Sequence, residues 1–205
     1  MASNNYGNSF QRTTPIVQNL IIINALVFLS QIVFDGEEKL LTEKIALWPY
    51  ASNLFRPYQL ITHMFAHGSW AHILFNMFAL WSFGTLLEKA WGPKRFLIFY
   101  FACGLSAAVA QLFLSSAPAV GASGAIMGLF AAFAYLFPNT QLIIFPLPIP
   151  IKAKIAVAIM AAIDLFGGIV PTYGGNIAHF AHLGGLLMGF ILVLLWNKKN
   201  KKTFY

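Results

Sequence analysis

Six long apolar stretches, separated by polar or proline-rich breaks, divide this chain. The first, Pro15 to Phe34, is uncharged and about 20 residues long, enough to cross the hydrocarbon layer of a bilayer as a helix. Four more follow at Trp70–Leu87, Phe96–Leu114, Gly121–Phe137 and residues 151–170, the last interrupted by Asp164 and Gly167-Gly168. The sixth runs from Ile177 to Trp196. The pattern predicts an all-α, polytopic membrane protein, a bundle of six transmembrane helices occupying 15–196.

The breaks differ in kind. Asp35 to Ser69 mixes acids, Lys39, Lys44 and Arg56 with Trp48-Pro49-Tyr50 and Phe55-Arg56-Pro57-Tyr58. It reads as a long, partly helical, membrane-associated first loop with aromatics at headgroup depth. Glu88 to Arg95 reads as a charged turn, Ser115 to Val120 as a short turn, and Pro171 to Asn176 as another. Pro138 to Pro150 holds four prolines and reads as a connector. Residues 1–14 are polar with a single charge, Arg12, unlike a cleavable signal peptide, so the first apolar stretch is expected to be retained behind a flexible tail. Residues 197–205 form a basic tail.

Composition sharpens this picture. Of 205 residues 59% are hydrophobic and only 9% charged, with a mean hydropathy of +0.70. A soluble domain carries about 25% charged residues. The net charge of +7 does not point to nucleic acid, because much of it sits in Lys198-Lys199-Asn200-Lys201-Lys202, beside a span. The one cysteine, Cys103, lies in an apolar run and has no internal disulfide partner. Six spans with both termini in the cytoplasm put ten of the lysines and arginines inside and leave only Lys39, Lys44 and Arg56 outside. The positive-inside rule selects that orientation over its inverse.

Orientation then assigns depth. The second, fourth and sixth spans all begin at the outer face. Ser123 falls in the first turn of the fourth, His182 about 8 Å down the sixth, and His72 and Asn76 at i and i+4 on the second. Polar side chains at such depth face the bundle interior or a water-filled cavity. A serine hydroxyl needs a base to become a nucleophile, and a neutral imidazole supplies one near neutral pH. His182 is the candidate base, and Gly184, Gly185 and Gly189 allow its helix to approach the fourth span closely. His179, one turn earlier, is the alternative base. His72, Asn76 and the Ser123 backbone N–H are candidate donors to an oxyanion. Gly121, Gly124 and Met127 lie around the site as substrate or packing positions. Asp164 is the only acid within a span apart from Glu88 at the inner edge. Nothing ties it to His182, so the reading is a Ser–His dyad, with Asp164 hydrogen-bonding locally near a glycine break or serving a proton pathway. His63 and His67, also at i and i+4, read as interfacial or core histidines. A metal site there would lack a nearby carboxylate, so no metal or other cofactor is expected.

These residues resemble the rhomboid intramembrane serine proteases over residues 54–196. The resemblance rests on His72-Ile73-Leu74-Phe75-Asn76, Gly121-Ala122-Ser123-Gly124 and Ala181-His182-Leu183-Gly184-Gly185, each on the matching span. It implies a six-helix bundle with an active site open to outside water. Ser123 is then the nucleophile, His182 the base, and His72 with Asn76 the oxyanion donors. It also implies a first loop embedded in the membrane, and a fifth helix and following loop that gate substrate entry. The family often places an aromatic four residues after the serine to stack on the histidine; here that residue is Met127.

The expected function is an endopeptidase that cuts transmembrane protein substrates near the outer face of a lipid bilayer, in a compact chain suited to a bacterial plasma membrane. Two other readings use the same residues. One is a catalytically silent protein of the same fold that holds membrane clients. The other is a proton-coupled transporter, for which inverted repeats or paired broken helices are missing.

Overall fold

A computed structural model of the chain describes residues 13–36, 39–143, 149–170 and 178–199. The predicted tails and the predicted turn at Pro171–Asn176 lie almost wholly outside those residues. The first helix, α1, is Pro15–Phe34, opened by proline at its first position, where a missing N–H loses nothing. In the first loop, α2 (Leu40–Ile45) and α3 (Gln59–Thr62) are joined by irregular backbone. The second stretch is one continuous helical rod: α4 (Trp70–Ala79), a π turn at Leu80–Gly84, and α5 (Thr85–Trp91). Then come α6 (Pro93–Leu114), α7 (Ser123–Leu136), α8 (Ala153–Ile169) and α9 (His179–Lys199). Among the described residues four helices, Pro15–Phe34, Trp70–Trp91, Pro93–Leu114 and His179–Asn197, are long and apolar enough to cross a membrane.

The centre is α7. At 14 residues it is only about 21 Å long. It is apolar all round, and Gly124 to Leu129 and Ala131 to Ala134 are buried, as a helix enclosed by other helices must be. Around it pack α6 and α9, with α8 against α9. Close approach is obtained by removing side chains. A Cβ on Gly185 would overlap the Gly124 carbonyl, and one on Gly189 would meet the backbone of Gly128. These Gly-x-x-x-Gly pairs on two helices are the small-residue contacts that let backbones touch. Outward, α1 shows Ile22, Leu26, Leu29, Ile32 and Phe34 more than half exposed. An apolar surface of that extent faces lipid, not water.

Three sequence expectations are corrected. Glu88 does not belong to a charged turn; it is helical and 2% exposed, and the chain turns only at Gly92, where φ is 81°. The Glu88 carboxylate accepts the backbone N–H groups of Ile16 at 3.0 Å and Val17 at 2.8 Å, satisfying orphan donors at the α1 terminus. The proline-rich connector carries a short antiparallel ribbon, β1 (Gln141–Ile143) with β2 (Pro150–Lys152), in which Leu142 faces Ile151. Finally, Gly167-Gly168 does not break α8. The helix runs through both residues, and their missing side chains leave room for the rings of His179 and Phe180.

The first loop is held by polar side chains. Gln59, fully buried, accepts the Arg56 N–H at 3.1 Å and donates to the Lys44 and Leu54 carbonyls at 3.1 and 3.0 Å. The loop then ties to the segment before α7. Leu47 and Ala119 exchange two backbone hydrogen bonds of 2.9 Å, and Gly121 N–H donates to the His63 carbonyl at 2.8 Å.

Candidate active site

The N-terminal ends of α4, α7 and α9 meet at one end of the bundle, together with the C-terminal part of α8. Ser123 is the first residue of α7. His182 is in the first turn of α9, and its Nε2 lies 2.8 Å from Ser123 Oγ. The helix contact through Gly124 and Gly185 is what brings them together. His179 does not reach the serine: its Nδ1 lies 2.8 Å from Asp164 Oδ1.

The same Asp164 oxygen lies 3.0 Å from His182 Nδ1, a link the sequence did not suggest. The aspartate bonds neither locally nor to a glycine break. One signal could have exposed it. Counting back along α8 puts Asp164 about 8 Å from that helix's end, at the depth of His182. His179 and His182, three apart on α9, share the face that meets it. The Asp164 and His179 side chains are each 7% exposed and that of His182 17%, so the imidazole nearest the serine is also the most accessible of the three.

The turn before Ser123 completes the constellation. Gly121 has φ 121°, a conformation that favours glycine. A Cβ there would also stand 2.7 Å from His72 Nε2 and 3.5 Å from Asn76 Nδ2, so His72 and Asn76 both face the backbone leading to Ser123. Asn76 is buried, and its Nδ2 donor has no partner among the described residues. Ser69 caps α4 by accepting the His72 backbone N–H at 3.2 Å. Gly68 N–H makes a long bond of 3.5 Å to His72 Nδ1. In neutral His72 that arrangement leaves the proton on Nε2, the atom turned toward Gly121. Met127 is buried in the core on α7, and Gly124 lies against Ala107 and the α9 backbone.

His63 and His67 occupy other positions. His63 is buried, with Nδ1 2.8 Å from the Gln59 carbonyl, and burial lowers its pKa to about 4. His67 packs its ring edge-on to His72 with centroids 5.0 Å apart. Burial, aided by repulsion from His72 when that ring is protonated, lowers its pKa to about 4 as well. Both are neutral side chains that brace the first loop beside the site.

Residues 54–199 match the rhomboid domain family. The chain belongs to the rhomboid family. It is 36% identical over 133 residues to rhomboid protease GluP of Bacillus subtilis, covering 65% of this chain and 25% of that protein. To the mitochondrial rhomboid protein 1 of Saccharomyces cerevisiae it is 32% identical over 139 residues, 64% of this chain and 40% of the other. The mitochondrial presenilin-associated rhomboid-like protein of Rattus norvegicus is 32% identical over 96% of this chain and 54% of its own length. This rhomboid thus spans between a quarter and about half of the length of those relatives. Their sources are bacterial and mitochondrial, and one of them is named a protease. The family and the apolar helices make the chain an all-α, multi-pass membrane protein of the rhomboid type.

Proposed function

We propose that this rhomboid is an intramembrane serine endopeptidase that cuts transmembrane segments of other proteins, with Ser123 as nucleophile and His182 as general base. The observation that carries the reading is the 2.8 Å separation of Ser123 Oγ and His182 Nε2. A base must lie within hydrogen-bond reach of the proton it removes.

The steps follow from that pair. Ser123 Oγ attacks the scissile carbonyl carbon as its proton passes to His182 Nε2, and the carbonyl oxygen takes up the negative charge. His72, Asn76 and the Ser123 backbone N–H donate to that oxygen. Asn76 Nδ2 is suited to this because its donor is buried and unpaired among the described residues, and the Ser123 N–H belongs to a helix's first turn, where no intrahelical acceptor exists. The proton then moves from His182 to the leaving amine as the C–N bond breaks and an acyl-serine remains. Water repeats the sequence: it gives a proton to His182, attacks the ester, and Ser123 leaves as an alcohol. The chemistry needs no cofactor.

The substrate must expose a carbonyl that a helix hides in its own hydrogen bonds, so segments that unwind readily at small or helix-breaking residues are favoured. The bundle crosses a lipid bilayer six times, α7 being short because it lies inside the protein. Its orientation follows the basic residues: cytoplasmic tails at 1–14 and 197–205, the protease domain at 15–196, and the site toward the outer side, as in a bacterial plasma membrane. Gly121 borders the substrate's approach beside His72 and Asn76, while Gly124 and Met127 pack behind the site. Transmembrane proteins and lipid are the partners, and nucleic acid is not.

The test is labelling of the purified protein by an activated-serine probe, alongside cleavage of a reconstituted transmembrane substrate. Wild type is expected to label and cleave, and Ser123→Ala and His182→Ala to do neither. Labelling that survives Ser123→Ala sinks the assignment.

A further inference from the structure

We propose that Asp164 is a positioning residue for His182, so that the reacting pair is the forward part of a Ser123–His182–Asp164 array whose third member is carried by a neighbouring helix. The inference rests on the Ser123–His182 reading above and concerns how that histidine is held.

Three observations carry it. Asp164 Oδ1 lies 3.0 Å from His182 Nδ1, the nitrogen opposite the one that faces Ser123. The carboxylate is buried at 7% exposure in an apolar helix, where an ionised group persists only with compensating partners. Its partners are two imidazoles, His182 and His179, the latter at 2.8 Å. A carboxylate can only accept, so both rings must place their proton on Nδ1. For His182 that fixes a bare Nε2 toward the Ser123 hydroxyl, the tautomer a general base requires. When Nε2 takes the serine proton, the imidazolium has a fixed negative neighbour.

A purely mechanical tie between α8 and α9 explains less. The packing of the two helices already has its own fittings, because Gly167 seats the His179 ring and Gly168 the Phe180 ring. An amide at position 164 would preserve that packing and the side-chain shape. It could also donate to His182 Nδ1, which would move the ring proton to Nε2 and block the base. His179 supports the carboxylate through the same Oδ1 oxygen that His182 contacts. Because Asp164 rides on α8, displacement of that helix from α9 also removes the group that fixes the His182 tautomer.

The experiment uses the full chain in proteoliposomes with a transmembrane reporter substrate. Asp164→Asn, Asp164→Glu and His179→Gln are compared with wild type for kcat, KM, probe labelling of Ser123 and thermal midpoint. Asp164→Asn is expected to lower kcat by about 10- to 10⁴-fold, the range bounded by the aspartate-to-asparagine change in serine protease triads. KM should stay within about threefold, and the thermal midpoint should hold. Asp164→Glu is expected to recover part of the loss, and His179→Gln to lose less than Asp164→Asn. Nitrogen-15 spectra of histidine-labelled protein should show His182 protonated on Nδ1 in wild type and not in Asp164→Asn. An Asp164→Asn variant with kcat within twofold of wild type overturns the proposal, and so does an unchanged His182 tautomer. Wild-type protein that neither cleaves nor labels overturns the protease reading itself, a result distinct from any effect at position 164.

Discussion

Gly185 on α9 stands so close to Gly124 on α7 that a single methyl group on Gly185 would overlap the Gly124 carbonyl. The Ser123–His182 distance of 2.8 Å is thus set by backbone contact, not by side-chain reach. Gly185→Ala must push α9 outward. A misplacement of about 1 Å can cost about a hundredfold in rate, so probe labelling of Ser123 is expected to fall by one to two orders of magnitude. A drop in thermal midpoint should accompany it. A labelling rate equal to wild type in a folded Gly185→Ala protein contradicts this account.

Asn76 has a buried donor without a partner among the described residues. Leaving such a group unpaired costs about 1–3 kcal/mol of stability, whereas losing one oxyanion donor costs about 10²–10³ in kcat. Asn76→Ala is therefore expected to slow cleavage by that factor, with little change in KM, while leaving the thermal midpoint equal or higher. Steady-state kinetics and a melt on the same preparation check both halves. A variant that loses stability and activity together would mean that the amide is structural.

Glu88 acts at the far end of the bundle. Its carboxylate takes the N–H groups of Ile16 and Val17, which Glu88→Ala leaves unpaired. The expected loss is about 2–4 kcal/mol, from two charge-assisted bonds at a helix N-terminus. Measured as a lower thermal midpoint in detergent, it should spare the labelling rate of the protein that remains folded. A labelling defect at full stability would tie α1 to the site in a way its contacts do not suggest.

Acid should loosen the first loop. His63 and His67 each have a folded pKa of about 4, below the ordinary 6.5, because both are buried. The unfolded chain takes up protons first. Their contribution to stability is complete above about pH 6.5 and is lost as pH falls toward 4, with a ceiling of a few kcal/mol. The thermal midpoint is expected to fall between pH 6.5 and 4, and His63→Gln should flatten that slope. A midpoint constant across this window would show that neither ring is neutral because of burial.

Much of the helix layout was legible because apolar runs of membrane length and their charged breaks are local signals. Position along each helix was legible too, and it is why Ser123 and His182 could be assigned to the same end of the bundle. Rotation was not. Whether Asp164 faces His182 depends on how α8 rolls against α9, and that roll is set by Gly167 and Gly168 accepting two rings. Read along the chain, the same glycines look like a break. Glu88 looked like a turn residue because its partners, at sequence separations of 72 and 71, become neighbours only once α1 packs. The pairing of Gln141–Ile143 with Pro150–Lys152 was hidden by prolines that discourage a strand reading.

The order of the helices also has a consequence in time. Ser123 and His182 are separated by 59 positions, and Asp164 lies between them on α8. During synthesis, at about 5–20 residues per second, the serine and its surrounding helices enter the membrane several seconds before α9 exists. Throughout that interval Ser123 has no His182 beside it. A nascent chain amid other newly inserted membrane proteins therefore holds this serine without its histidine neighbour until α9 arrives and packs.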